Sequence, residues 1–171
     1  MAADINAPSE SASQESAQLE RLKYLRALYA NDLPHGDTEQ RLAWVKRQAR
    51  AYLAYLADQI MAGDLEAEAG KSEAYAAIQG IARSADLRAE DFRHIEGHLW
   101  AEAQGGALAR RDGIDRAVFW RARNNAPLAQ IIAAARAEAA RTGAAWSEDQ
   151  LNQIIAQGLR AGMSGRRPTN G

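Results

Sequence analysis

The sequence predicts an all-α fold: a single, bundle-like domain of six or seven short-to-medium helices with flexible termini. Apolar residues make up 47% of the 171-residue chain, alanine dominates them, and aromatic residues account for only 6%. Because alanine favours helices and fills little volume, thin and closely packed helices are expected. Apolar positions recur at helical spacing along most of the chain, and no stretch has the alternating pattern of a strand.

The chain divides by composition into three parts. Residues 1–15, rich in Ser, Ala, Gln and Glu, are predicted to be a disordered lead-in, residues 16–162 a helical domain, and residues 163–171 a flexible basic tail. The domain itself has an acidic half, 16–105, and a basic half, 106–162. Residues 1–105 carry 11 Lys and Arg against 17 Asp and Glu, whereas residues 106–171 carry 10 against 5. The halves attract each other, or the basic half faces an anionic partner.

The acidic half is predicted to contain four helices. Leucines at helical spacing from Leu19 to Leu28 indicate a first helix, which Pro34 and Gly36 terminate. A second helix is predicted to begin at Asp37 or Thr38 and to end at Gly63. Its apolar positions form a coiled-coil-like seam within residues 39–60, made of Leu42, Val45, Ala49, Tyr52, Leu56 and Ile60. A third helix is predicted over 65–84 and a fourth over about 87–104.

Glycine, proline and capping residues divide the rest of the chain. Asp86 is predicted to cap the fourth helix, and Gly105-Gly106 to end it. A short fifth helix over about 112–123 is followed by a turn at 124–127, with Pro127 opening a sixth helix that runs to 141. Ser147 is predicted to cap a seventh helix that ends near residue 162.

Four metal-ligating side chains line one flank of the fourth helix. Their spacing of 3, 4 and 4 places Asp91, His94, His98 and Glu102 in one stripe beside the apolar face. Two histidines four positions apart can both reach one divalent ion, and the carboxylates can complete or orient the site. Glu96 falls on a different face, so the metalloprotease geometry is absent. The alternative is a solvated edge of an amphipathic helix.

Arginine and tryptophan concentrate between residues 107 and 125. Arg116, Trp120 and Arg123 share one helical face, and Arg110 and Arg111 precede them. A tryptophan flanked by guanidinium groups can stack on a base or contact phosphates. The same residue types anchor protein interfaces. The third interpretation is that these arginines pair with the acidic half of the chain.

Several classes of function are disfavoured by what the sequence lacks. There is no cysteine for thiol, iron–sulfur or Cys-zinc chemistry, and the common phosphate-binding and hydrolase motifs are missing. No apolar run is long enough to span a bilayer, and the first residues do not resemble a secretory signal, so a cytoplasmic location is expected. Arginine supplies 18 of the 21 basic residues, which reflects GC-rich, bacterial-type coding as readily as a functional choice.

These observations favour a non-catalytic protein that binds another macromolecule as an adaptor or regulator. The binding surface would be the seam of residues 39–60, through a partner or self-association, or the Arg/Trp face near 116–123. The first alternative is a nucleic-acid-associated regulator that uses the basic half. The second is a metal-binding protein built on His94 and His98, which would bind a divalent metal; otherwise no cofactor is expected.

Overall fold

The structure, a computed structural model, describes residues 10–26 and 32–164, and this part of the chain folds into six helices without a strand. The helices are α1 (Glu10–Tyr24), α2 (Thr38–Ala62), α3 (Ala67–Ser84), α4 (Ala89–Arg123), α5 (Leu128–Thr142) and α6 (Glu148–Met163). The predicted all-α class is therefore confirmed. None of these helices combines the length and the apolar composition that a membrane crossing requires.

Both predicted ends of α2 are confirmed. Asp37 is the N-cap: its side chain accepts a hydrogen bond from the Gln40 backbone N–H at 2.9 Å, and the Gln40 side chain accepts one from the Asp37 N–H at 3.0 Å. This reciprocal pair satisfies two backbone donors that a helix start leaves open. At the other end Gly63 has a φ of 82°, the left-handed conformation in which glycine terminates helices.

The prediction that Gly105-Gly106 ends a helix is wrong, because α4 runs unbroken through both glycines as a 35-residue helix. Two predicted helices, over 87–104 and 112–123, are thus one. Each glycine costs about 1 kcal/mol relative to alanine inside a helix. Packing of the neighbouring turns offsets this cost, since Ala107 is completely buried and Arg110 one turn further reaches α2.

Asp86 was predicted as the cap of this helix, and that prediction is also wrong. Asp86 has a φ of 56°, in the left-handed region, and lies in the turn between α3 and α4. The capping contact is instead made by Asp91, whose side chain accepts a hydrogen bond from the Arg88 backbone N–H at 2.9 Å. A carboxylate in the first turn also complements the positive end of the helix dipole.

Gly105→Ala is expected to raise the free energy of unfolding by up to about 1 kcal/mol. The residue is exposed, and a Cβ added there would meet no atom within 4 Å. Alanine therefore gains helix propensity without a clash. Urea unfolding followed by circular dichroism measures the change, and a loss of stability would contradict the continuous helix.

Two hydrophobic clusters share α4. The first joins α2, α3 and the N-terminal half of α4 and includes Leu25, which directly follows α1. The second joins the C-terminal half of α4 with α5 and α6. Their largest buried side chains include Leu53, Ile78 and Ile81 in the first and Ile114, Val118 and Ile154 in the second. The predicted boundary between acidic and basic halves, at 105–106, falls inside α4.

The seam of α2 packs inside the molecule. Val45, Ala49, Tyr52 and Leu56 are all buried within the first hydrophobic cluster, while Leu42 and Ile60 pack at its edge. The periodicity thus matches contacts made within the chain, and the seam is not an exposed surface.

The predicted termini are only partly covered by the described residues. Residues 10–15 of the predicted lead-in belong to α1, and residue 163 of the predicted tail is the last residue of α6. Residues 1–9, 27–31 and 165–171 lie outside the described part, so the predicted disorder there stays a prediction.

Candidate interaction surface

The second hydrophobic cluster is a three-helix unit whose helix directions can be read from close contacts. A Cβ on Gly158 would lie 2.9 Å from Val118, and one on Gly162 would lie 2.8 Å from Ala122, so α6 runs parallel to α4. A Cβ on Gly113 would lie 2.7 Å from the Glu138 carboxylate, so α5 runs antiparallel to both. The end of α4, the start of α5 and the end of α6 therefore lie at one end of the unit.

Large apolar side chains are exposed at this end. Trp120 is 49% exposed, Leu128 57% and Met163 81%. The Trp120 ring packs edge-on against Phe119, with ring centroids 5.2 Å apart, and Phe119 itself is buried. The indole therefore has a fixed support while its outer part faces solvent. We call this end, with Arg116, Trp120, Arg123, Leu128 and Met163, the Trp120 surface.

The charge around the Trp120 surface is positive. Its arginines are exposed: Arg116, Arg121 and Arg123 on α4 and Arg160 on α6. No acidic residue occurs in 117–123, 128–134 or 157–163, the turns that form this end. The acidic residues of the unit lie outside these turns, at Asp112, Asp115, Glu138, Glu148 and Asp149. Arginines in the last turn of α4 also complement the negative end of its dipole.

Arg110 and Arg111 lie away from this surface, against α2 and α6. The Arg110 guanidinium donates from Nε and Nη2 to one oxygen of Asp58, at 3.0 and 2.8 Å. Asp58 is only 1% exposed, and its second oxygen accepts a hydrogen bond from the Ala145 backbone N–H at 2.9 Å. The Trp146 indole donates to the Asp58 backbone carbonyl at 2.7 Å. Asp58 thus joins α2, α4 and the α5–α6 loop.

Arg111 makes a second set of internal contacts. It donates to the Met61 backbone carbonyl at 3.0 Å, to the Gln157 side chain at 2.5 Å and to Asp115 at 3.3 Å. Burial raises the pKa of Asp115, and the nearby Arg111 counteracts part of this rise. The predicted five-residue binding group therefore separates into an internal pair, Arg110 and Arg111, and an exposed group on the Trp120 surface.

The four side chains of the histidine stripe have different surroundings in the structure. His94 and His98 are exposed, Asp91 caps α4, and Glu102 forms an ion pair with Arg50 at 3.5 Å. Nowhere between residues 10 and 26 or 32 and 164 do three or more His, Cys, Asp or Glu side chains come together to hold a metal ion. The predicted divalent metal gains no support from this geometry.

Sequence reasoning missed Asp58, the best-buried charge of the described chain. The available signal was weak: Asp58 stands between Ala54 and Met61 at helical spacing, so an acid interrupts a second, less obvious apolar stripe. Its partner Arg110 lay in a predicted break between two helices. Only a continuous α4 brings the two together.

Comparison of the chain with protein-family models, with curated proteins and with solved structures gives no match. Function is therefore inferred from the arrangement of side chains alone.

Proposed function

We propose that the protein binds an acidic partner protein through the Trp120 surface and acts as a cytoplasmic adaptor or regulator without catalysis. The observation that supports this proposal is a half-exposed tryptophan, held against a buried phenylalanine, among exposed arginines on helical turns that contain no Asp or Glu. Tryptophan and arginine are the residue types that contribute most to binding at protein interfaces.

The exposed apolar side chains favour a protein over a small anion. Leu128 and Met163 lie at the same end of the three-helix unit as Trp120, and each exposes more than half of its surface. Large apolar side chains exposed together at one end of a molecule, with charged neighbours, are typical of a protein interaction site. The arginines would steer an acidic partner toward the patch and limit which partners bind.

Nucleic acid is the second candidate partner, because the basic half of the chain presents Arg116 one helical turn from an exposed indole. Such a pair can contact a phosphate and stack on an unpaired base. If this alternative holds, the protein should remain bound to DNA or RNA at moderate salt concentration. Binding that relies on phosphate contacts alone weakens steeply as the salt concentration rises.

The test is affinity capture from a lysate of the native host, with and without nuclease, followed by measurement of affinity for the captured partner. We expect a nuclease-resistant protein partner whose affinity falls roughly 10- to 100-fold in an Arg116→Glu/Trp120→Ala variant, because the anchor and one steering charge are removed.

The matched control is Arg93→Glu/Leu19→Ala, which changes one exposed arginine and one exposed apolar residue elsewhere. The proposal would be contradicted if the control and the surface variant lost affinity for the partner equally, or if both kept the affinity of the wild type. A partner that disappears after nuclease treatment would establish the nucleic-acid alternative instead.

A further inference from the structure

A second site lies in the other half of the molecule, where α1 crosses α2 and α3. A cavity of about 500 Å³ opens between these helices and the α2–α3 turn. This volume falls within the range of pockets that hold small organic ligands, roughly 300–1,000 Å³. The cavity shares no residue with the Trp120 surface.

Aromatic and aliphatic residues make up half of the residues that line the cavity. The rings of Tyr52 and Tyr55 stack with centroids 6.2 Å apart and an angle of 18° between their planes, and Leu56 and Leu65 lie beside them. Tyr24, at the end of α1, packs on Tyr55 with ring centroids 5.1 Å apart. Such a wall suits an apolar body, and its ring faces attract cations.

The charges that line the cavity are mostly negative. Glu20, Asp64 and Glu73 contribute carboxylates, and Arg21 is the one cation among the lining residues that the structure describes. The Arg21 guanidinium is paired with Glu73, which also accepts a hydrogen bond from the Tyr52 hydroxyl at 2.7 Å. Asp64 is hydrogen bonded to the neutral side-chain amide of Gln150, which leaves the negative charge of Asp64 in place.

Glu20 lies close to the aromatic wall. Burial raises the pKa of Tyr55, and the negative charge of Glu20 raises it further. Lys23, on the same helix, does not line this cavity but an adjoining one that it shares with Glu20 and Tyr55, and its ammonium lies 5.7 Å from the centre of the Tyr24 ring. Because three carboxylates and one guanidinium group line the 500 Å³ cavity, the electrostatic potential inside it favours a positively charged ligand.

We propose that this cavity binds an organic cation, an ammonium group on an apolar or aromatic body. The body packs against Tyr52, Tyr55 and Leu56, and the ammonium lies beside Glu20 and Asp64. An anionic ligand would have to compete with Glu73 for Arg21 and would meet two further carboxylates.

The probe for the test is benzyltrimethylammonium, titrated into the full chain while backbone amide shifts are recorded by NMR. We expect saturable shifts in α1, in residues 52–65 and around residue 73. Phenylpropionate, an anion with a similar apolar body, is expected to produce no saturable shift there. Binding of the cation should weaken as ionic strength rises, because the site is partly open to solvent.

Glu20→Gln is expected to weaken binding of the cation roughly three- to tenfold through loss of one partly screened charge. Tyr55→Leu should weaken it by a similar factor, because the ring face is lost while the position stays apolar. Glu15→Gln is the matched control, since it removes an exposed carboxylate of α1 that does not line the cavity. This control should bind the probe as the wild type does.

The proposal is overturned if phenylpropionate binds as tightly as the cation, if Glu20→Gln binds the cation unchanged, or if the shifts map away from the cavity. Circular dichroism of each variant checks that α1 and the remaining helices are retained. Asp64→Asn removes a second negative charge, on the α2–α3 turn. It is expected to weaken binding of the cation as Glu20→Gln does.

Discussion

Replacement of Asp58 with alanine is expected to lower the free energy of unfolding by about 3–5 kcal/mol, the usual effect of breaking a buried ion pair from one side. The substitution leaves the Arg110 guanidinium, which is 17% exposed, without its carboxylate partner. It also removes the acceptor for the Ala145 backbone N–H. Chemical unfolding followed by circular dichroism measures the loss.

Two comparison variants separate this effect from a general loss of charge. Glu102→Ala breaks the exposed pair with Arg50, whose side chains are 60% and 63% exposed, and should cost less than about 1 kcal/mol. Asp58→Ala/Arg110→Met removes both charges and should recover part of the stability. A loss in Asp58→Ala no larger than in Glu102→Ala would show that Asp58 does not hold the two halves together.

Gly158→Ala is expected to destabilise the protein by about 1–3 kcal/mol, the usual effect of forcing an extra methyl into a packed contact. The new Cβ would lie 2.9 Å from Cγ1 and 3.1 Å from Cβ of Val118. Val118 is completely buried and β-branched, so it has little freedom to rotate away. The gain in helix propensity, up to about 1 kcal/mol, does not offset the clash.

Gly105→Ala is the matched control for Gly158→Ala, since the same substitution in an exposed helical position should have the opposite sign. Chemical unfolding of both variants gives the comparison directly. Val118→Ala should relieve the clash, so the effects of Gly158→Ala and Val118→Ala should be non-additive. Additive losses would contradict direct packing of α6 on α4.

Most helices of the fold could be predicted because their signals are local. The ends of α2 follow from Asp37, Gln40 and Gly63, which act on backbone groups within one helical turn. The start of α6 follows in the same way from Ser147, whose side chain accepts a hydrogen bond from the Gln150 N–H at 3.1 Å. Such contacts depend on spacing alone, which a sequence displays directly.

The continuity of α4 could not be predicted in this way. Local propensity favours a break at Gly105-Gly106, and burial of Ala107 together with the contact of Arg110 with α2 overrides it. The predicted break in α4 also led to a wrong grouping of the arginines of the candidate site. A break there groups Arg110 and Arg111 with Arg116, Trp120 and Arg123, whereas in the structure both are partly buried against α2 and α6.

The amino-acid sequence alone was enough to predict the helical class, the bounds of α2 and the placement of Arg116 and Trp120 on one helical face. Each of these features depends on residues within a few positions of one another. The Asp58–Arg110 pair joins residues 52 positions apart, and the Asp58–Ala145 contact spans 87. The cavity beneath α1 and the convergence of three helix ends at Trp120 likewise arise between distant segments. Tertiary packing brings such segments together, and the local spacing of residues along the chain does not indicate which distant segments will be in contact.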